Sequence, residues 1–235
     1  MGIGLKAILL TGGLGTRLYP LTLIIPKPLL MFGDKTIAGH ILNWLKENGV
    51  RDVVIATSRK KELFELFLGK IKGVRIEYVE SEKPLGTAGQ LRHAAKNMKN
   101  AFIVVYGDGI IKADLRKMIE FHRRNKPLAT IMAMQVEERL KYGYLEFDEN
   151  NNLLKWEEKP VKRGWISVGC YILEPRFLKY IPEEVYGMDE AFRNALKAGE
   201  KVLVFKAEGK YIDLGDRDSY YKAVSELKEE IGRIP

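Results

Sequence analysis

The chain of 235 residues has a single cysteine, which excludes an internal disulfide and any metal site built from several thiolates. Cys170 lies in the apolar run 168–173, and this setting predicts a buried small hydrophobic side chain rather than a nucleophile. The sequence also shows no Ser, Cys or His triad. Covalent catalysis through a side chain therefore has no support in the sequence.

Long hydrophobic runs are missing as well. No stretch approaches the roughly twenty apolar residues that a membrane-spanning helix needs. Residues 1–4 lead into the first predicted strand too early for a secretory signal peptide. We therefore expect a cytoplasmic protein with no membrane partner.

Acidic residues are fewer than basic ones: the chain has 31 Asp and Glu and 39 Lys and Arg, which gives a formal net charge of +8. The basic residues are spread along the chain, the longest cluster being Arg59, Lys60 and Lys61, and no aromatic-plus-basic module is present. The excess either belongs to a solvated surface or creates a field that favours anionic small substrates. Nucleic-acid binding rests on net charge alone, so we expect no nucleic-acid partner.

Short apolar runs alternate with amphipathic segments in the first part of the chain. This rhythm predicts an α/β fold with a mixed, mostly parallel sheet flanked by helices. The predicted strands are residues 7–10, 52–56, 74–79 and 101–106, and the predicted helices are residues 37–47, 61–68, about 86–96 and about 114–124. His122, near the end of the last helix, is interpreted as a surface residue.

Beyond Pro127 the pattern changes to strands and turns. The strands predicted in this part are residues 130–136, 143–147, 153–157 and 166–173. The polar run 148–152 predicts a hairpin between two of them, and a final helix is predicted over residues 220–227. The second half is therefore expected to be richer in β-structure than the first.

A glycine-rich loop follows the first strand, with Gly12, Gly13 and Gly15 just before Thr16 and Arg17. Backbone N–H groups in such a loop can converge on phosphate oxygens, and a guanidinium adds a two-pronged contact. The loop lacks the Gly-Lys-Ser/Thr ending of a Walker loop and the third glycine of the dinucleotide fingerprint. A phosphate-binding loop of another kind is indicated.

Residues 12–22 read Gly-Gly-Leu-Gly-Thr-Arg-Leu-Tyr-Pro-Leu-Thr, and residues 26–29 read Pro-Lys-Pro-Leu. In length and spacing these motifs resemble the signature of the sugar-phosphate nucleotidylyltransferase family, which has a Rossmann-like fold. The resemblance implies two catalytic residues, Arg17 at the leaving pyrophosphate and Lys27 near the α-phosphate. It also implies nucleotide contacts from Leu10, Gly12, Gly13, Gly15 and Thr16.

A second loop, residues 82–92, opens the helix predicted near residue 86. Ligands of such sheets lie beyond the carboxyl ends of the strands, so this loop should stand beside the first one. The resemblance implies that Gly86 and Thr87 lie over the nucleotide base. Thr87 is also a candidate N-cap of the helix, and both roles can hold together.

Asp108 follows the strand predicted over 101–106 and is flanked by glycines, which by itself most often marks a turn. The resemblance implies that Asp108 is a Mg²⁺ ligand, since hard cations prefer carboxylate oxygen. It assigns the second carboxylate to Asp213, in the segment Tyr-Ile-Asp-Leu-Gly of residues 211–215. The two aspartates are far apart in sequence, so only folding can bring them together.

Three segments of the second half resemble the sugar-binding motifs of the family. They imply contacts from Gly143, from Glu157, Glu158 and Lys159, and from Ser167. Ser167 stands where the family has an asparagine, and a hydroxyl offers one donor where an amide offers two. Ser167 would therefore make fewer hydrogen bonds to a sugar hydroxyl than the asparagine of the family.

The resemblance, closest to the mannose-1-phosphate guanylyltransferase branch, implies one domain over 1–235. About 1–126 would bind nucleotide, and about 127–235 would form a β-rich sugar-binding insertion, with no C-terminal β-helix domain. The expected reaction is NTP plus hexose 1-phosphate, best GTP and mannose 1-phosphate, giving NDP-sugar and pyrophosphate. Glucose-1-phosphate uridylyl- or thymidylyltransferase activity and a non-catalytic regulatory homologue are the alternatives. A homodimer is compatible with the sequence, which leaves the oligomeric state open.

Overall fold

The computed structural model describes residues 4–231, with side chains described as far as Leu227. The strands are β1 Lys6–Leu10, β2 Met31–Phe32, β3 Lys35–Thr36, β4 Asp52–Thr57, β5 Arg75–Glu80, β6 Phe102–Tyr106, β7 Gly109–Ala113, β8 Ala129–Arg139, β9 Tyr144–Phe147, β10 Leu153–Glu157, β11 Val161–Leu173, β12 Val202–Lys206 and β13 Gly209–Asp213. The α-helices are α1 Leu21–Ile24, α2 Ile37–Glu47, α3 Lys61–Leu68, α4 Gly86–Ala94, α5 Leu115–Asn125, α6 Met188–Lys197 and α7 Arg217–Ile231. Short 3₁₀ helices cover Thr16–Leu18, Lys27–Leu29 and Pro175–Tyr180.

Seven strands form one mixed sheet in the order β12-β8-β11-β6-β1-β4-β5. β11 runs antiparallel to its neighbours β6 and β8, while the other neighbouring pairs are parallel. Alternate residues of β1 face opposite sides: Ala7 and Leu9 pack with α2, α3 and α5, whereas Ile8 and Leu10 pack with α4 and α6. The predicted α/β fold with helices on both faces is confirmed, and β1 lies inside it with its apolar residues buried.

Most predicted elements are present at their predicted places. Helices 37–47 and 61–68 are α2 and α3, and strand 153–157 is β10. The last helix is longer than predicted, and α6 and β12 were not predicted at all. α6 is amphipathic, burying Met188, Ala191, Phe192 and Ala195, so its spacing of apolar residues was a readable signal.

The second half carries a ribbon that leaves the main sheet. Residues 161–167 of β11 are exposed, whereas residues 168–173 are buried. The register of β11 against β8 shifts between Ser167 and Tyr171, where Gly169 has φ +67° and a Cβ would lie 2.8 Å from Tyr106. This irregularity divides the buried strand from the projecting ribbon, next to which β9 and β10 form the predicted antiparallel hairpin.

His122 was interpreted as a surface residue, and this interpretation is wrong: its side chain is 4% exposed. Its Nδ1 lies 2.8 Å from Thr130 Oγ1, and its Nε2 lies 3.3 Å from Glu174 Oε1. His122 shares a helical face with Leu115, Met118 and Ile119, and this spacing places it inward. Burial lowers the pKa of His122, against an opposing effect of Glu174.

Cys170 is buried within β11, as predicted. Burial raises the pKa of its thiol to about 12, so the thiolate needed for nucleophilic attack is not formed at neutral pH. Within residues 4–231, no helix combines the length and the hydrophobicity that crossing a membrane requires.

Candidate active site

The first glycine loop joins the end of β1 to the short helices before α2. Other parts of the chain fix its carbonyl groups: Ser58 Oγ donates to Gly12 O at 2.7 Å, and Arg59 Nη2 donates to Leu14 O at 2.9 Å. Thr22 Oγ1 donates to Gly15 O at 2.7 Å, and Gly15 has φ +66°, which favours glycine. The loop is therefore held in one shape before any ligand binds.

A cavity of about 410 Å³ opens over this loop, beyond the carboxyl ends of β1 and β6. Most of the predicted nucleotide and catalytic residues line it. The lining includes Leu10, Gly12, Gly13, Gly15, Thr16, Arg17, Lys27, Thr87 and Asp108. Gly86 and Asp213 are not lining residues, although Thr87, the next residue, and Gly215, two residues after Asp213, are.

Lys27 lies in the 3₁₀ helix Lys27–Leu29 between two prolines, and only 8% of the residue is exposed. Its Nζ donates to Gly215 O at 3.0 Å and lies 3.6 Å from Asp108 Oδ2. Burial lowers the pKa of Lys27, and the charge of Arg17 acts in the same direction. Asp108 and Asp213 oppose this shift, so carboxylates from two separate segments of the chain support the buried ammonium.

Folding brings the two aspartates side by side, as their predicted role requires. β7 pairs antiparallel with β13, and the register places Gly109 opposite Asp213. Leu214 N donates to Asp108 O at 3.2 Å, and the side chain of Asp108 is 39% exposed. Within the described residues, no group of three or more His, Cys, Asp or Glu side chains could hold a metal.

Thr87 does not cap the helix that it opens, so that part of the prediction is wrong. The N-cap of α4 is Leu85, without a side-chain hydrogen bond. Thr87 Oγ1 instead accepts from Met188 N at 3.0 Å, at the start of α6. The side chain of Thr87 therefore bonds the first turn of α6 and not the start of its own helix.

A line of hydroxyl groups runs from Thr87 to β11. Tyr106, on the cavity wall, is hydrogen-bonded to Thr87 and Tyr171, and burial raises its pKa. Ser167 Oγ in turn donates to Tyr171 Oη at 3.3 Å. The hydroxyl of Ser167 is thus engaged within the protein, at the position where the family has an asparagine.

The other predicted sugar-side residues lie on or near the β9–β10 hairpin and do not line the cavity. A Cβ at Gly143 would lie 3.2 Å from Glu158 Oε2, so these two positions are close together. Lys155 Nζ lies 3.0 Å from Glu157 Oε1, and this hydrogen bond lowers the pKa of Glu157. Lys159 Nζ lies 4.0 Å from Glu158 Oε1.

Sequence reasoning missed several residues that shape the cavity, namely Ser58, Arg59, Gln90, Tyr106 and Gly215. A readable signal existed for some of them. Ser58 and Arg59 follow β4 at its carboxyl end, the edge at which ligands of parallel sheets lie. Gln90 stands three residues after Thr87, which places both on one face of α4.

A family model described as nucleotidyl transferase matches residues 6–230. The chain belongs to this family. The resemblance inferred from residues 12–29 is thereby confirmed.

Relatives of this nucleotidyl transferase share its fold and part of its sequence. The mannose-1-phosphate guanyltransferase of Yarrowia lipolytica is 35% identical over 220 residues, which are 90% of this chain and 61% of the relative. The mannose-1-phosphate guanylyltransferase of Mycobacterium tuberculosis is 32% identical over 239 residues, with 97% and 66% covered. The crystal structure of HddC from Yersinia pseudotuberculosis complexed with GMP-PN is 25% identical with a TM-score of 0.75, covering 95% and 99%. The chain thus spans less than two thirds of the length of each of these two curated relatives.

Proposed function

We propose that this nucleotidyl transferase is a Mg²⁺-dependent sugar-1-phosphate nucleotidylyltransferase that joins GTP and mannose 1-phosphate into GDP-mannose and pyrophosphate. The carrying observation is the convergence of Arg17, Lys27 and Asp108 on one cavity at the carboxyl ends of β1 and β6. Similarity to mannose-1-phosphate guanylyltransferases supports the choice of substrates. Glucose-1-phosphate uridylyl- or thymidylyltransferase activity is the alternative within the same reaction class.

In the proposed reaction, a phosphate oxygen of the sugar 1-phosphate attacks the α-phosphorus of the triphosphate. The new P–O bond forms as the bond from the α-phosphorus to the bridging oxygen breaks, and pyrophosphate leaves with that electron pair. Because the nucleophile is already an anion, no general base is needed. The task of the protein is to align two polyanions and to stabilise the charge on the leaving group.

The described residues have the charges for these roles. Arg17 would contact the leaving pyrophosphate, and Lys27 the α-phosphate. Because Gly215 O and Asp108 hold the ammonium of Lys27 in place, little reorganisation is needed when a phosphate arrives. The backbone N–H groups of Gly13 and Thr16 belong to the same loop and would complete the phosphate contacts.

Asp108 and Asp213 would hold the Mg²⁺ ion. Two carboxylates fit this ion, since Mg²⁺ is commonly bound by one or two carboxylates together with substrate phosphates. When bound, it would offset the negative charge of the triphosphate. The pairing of β7 with β13 supports this assignment, because it places Asp213 opposite Gly109, the residue that follows Asp108.

Sugar phosphate would bind on the side of the β9–β10 hairpin, with Lys159 at its phosphate and Gly143, Glu157, Glu158 and Ser167 at its hydroxyl groups. The chain would then act as one domain, with about 1–126 binding the nucleotide and about 127–235 the sugar phosphate. A homodimer stays a prediction.

The test is pyrophosphate release with Mg²⁺ across a matrix of nucleoside triphosphates and hexose 1-phosphates. We expect one productive pair, GTP with mannose 1-phosphate, and a rate lowered about a hundredfold or more in Arg17→Ala. Arg51→Ala is the matched control, since Arg51 is exposed and does not line the cavity. A folded protein that releases no pyrophosphate from any pair would contradict the proposal.

A further inference from the structure

Gln90 lies on α4 at the wall of the cavity, and 5% of the residue is exposed. Its Oε1 accepts a hydrogen bond from Gly12 N at 3.0 Å, so a side chain of α4 is tied to the backbone of the first glycine loop. Although Gln90 is buried, its side chain lines the cavity and does not pack in the hydrophobic core. It is part of the wall that a ligand would meet.

The bond to Gly12 fixes the orientation of the carboxamide. Because an N–H group donates, the oxygen of Gln90 must face it, and the Nε2 group with its two protons occupies the other side. Nε2 lies over the backbone of the loop, 1.7 Å from the position that a Cβ on Gly12 would take. Only glycine at position 12 leaves room for this arrangement.

Among the described residues, the Nε2 group of Gln90 has no hydrogen-bond acceptor. In the same part of the chain, every fully buried side-chain nitrogen or oxygen atom has a hydrogen-bond partner, so Nε2 is not fully buried. Nε2 must therefore reach the surface of the cavity, where a ligand can accept from it. The charged groups of the cavity are Arg17, Lys27 and Asp108, which suit phosphate and metal. Gln90 stands three residues from Thr87, among uncharged lining groups that suit a nucleobase.

We propose that Gln90 is a specificity-determining residue that donates from Nε2 to a carbonyl oxygen on the nucleobase. It thereby favours bases with an oxo group on the facing edge, such as guanine, uracil and thymine, over the amino bases adenine and cytosine. This inference rests on the proposed function in so far as the cavity binds a nucleotide. An amino base would place a donor against a donor and leave both unpaired in a site screened from water.

The experiment measures the dissociation constants of GTP and ATP with Mg²⁺ by calorimetry. In Gln90→Glu the carboxylate still accepts from Gly12 N but presents an acceptor in place of Nε2. Gln90→Met keeps the length of the side chain and removes both polar groups. Asn97→Asp is the control, because it adds the same charge at an exposed position after the end of α4.

We expect the wild type to bind GTP at least about tenfold more tightly than ATP, and Gln90→Glu to lower this ratio by about tenfold or more. Gln90→Met should also lower the ratio without favouring ATP. Asn97→Asp should leave the ratio unchanged, since a distant charge acts equally on both triphosphates. Gln90→Met carries the test alone if the carboxylate prevents folding, which thermal unfolding would reveal.

A ratio that stays within about twofold of the wild type in both Gln90 variants would overturn the inference, as would a wild type that does not distinguish GTP from ATP. The result of this binding experiment can be distinguished from the result of the transferase assay. Pyrophosphate release with an unaltered ratio overturns base selection alone, whereas selective GTP binding without pyrophosphate release overturns the transferase alone.

Discussion

The first glycine loop and the β9–β10 hairpin carry motifs of the same family but are held in different ways. Ser58, Arg59 and Gln90, from two other segments, bond the loop directly. The hairpin is stabilised by its own strand pairing, and Tyr142 and Trp156 beside its candidate residues are 80% and 63% exposed. The loop is thus preorganised for a ligand by the rest of the fold, whereas the hairpin groups are ordered mainly by one another.

The largest expected difference between the two regions is in stability. Phe64, on α3 beneath the sheet, is fully buried, whereas Phe147 on the hairpin is 63% exposed. Phe64→Ala should lower the free energy of unfolding by about 3–5 kcal/mol through lost burial and a cavity. Phe147→Ala should change it by about 0.5 kcal/mol or less. Urea denaturation measures both, and similar losses would show that the hairpin is as well packed as the core.

The next difference is in substrate binding. Lys159→Met should raise the KM for mannose 1-phosphate about tenfold, because one charge-assisted contact to phosphate is lost. The Kd for GTP should stay unchanged, since Lys159 does not line the nucleotide cavity. Steady-state kinetics and calorimetry measure the two quantities. Lys141→Met, which removes the same charge at an exposed position between β8 and β9, is the control, and an equal loss of affinity for both substrates would contradict the division of the site.

A smaller effect compares two neighbouring glycines in the first loop. A Cβ at Gly12 would lie 1.7 Å from Gln90 Nε2, whereas a Cβ at Gly13 meets no atom within 4 Å. Gly12→Ala should displace Gln90 and cost about 1 kcal/mol of stability through the lost hydrogen bond. Gly13→Ala should leave the melting temperature unchanged. Equal melting temperatures for the two variants would mean that the loop and α4 are not coupled in this way.

The smallest effect concerns pH. Because burial lowers the pKa of His122 below its unfolded value, the unfolded chain binds the proton more readily as the pH falls through about 6.5. The free energy of unfolding should therefore decrease from pH 7 toward pH 5. His122→Asn should flatten this dependence, while His93→Asn, at the surface, should leave it in place. An unaltered slope in His122→Asn would contradict the prediction.

Prediction from the sequence was most successful for features that depend on residues close together in the chain. The spacing of apolar residues sufficed for α2 and α3, and the glycine loop was readable from residues 12–17. It was wrong for the capping role of Thr87, since contact with α6 outweighed local preference. It was also wrong for His122, whose helical spacing from buried residues of α5 indicated burial and was not used. The role of Gln90 was missed because its spacing from Thr87 predicts a shared helical face but not the loop against which that face lies.

The sequence by itself determined the type of most main elements and the family to which the chain belongs, and it predicted a phosphate-binding role for the loop from Gly12 to Arg17. These features depend on local backbone freedom, periodic burial and fixed spacing, all of which are written in neighbouring residues. Tertiary structure alone decided that Asp213 lies opposite the residue after Asp108, that Lys27 is buried against Gly215, and that Gln90 stands over Gly12. Such contacts join residues far apart in the chain, and their geometry is set by strand order and register, which no local pattern specifies.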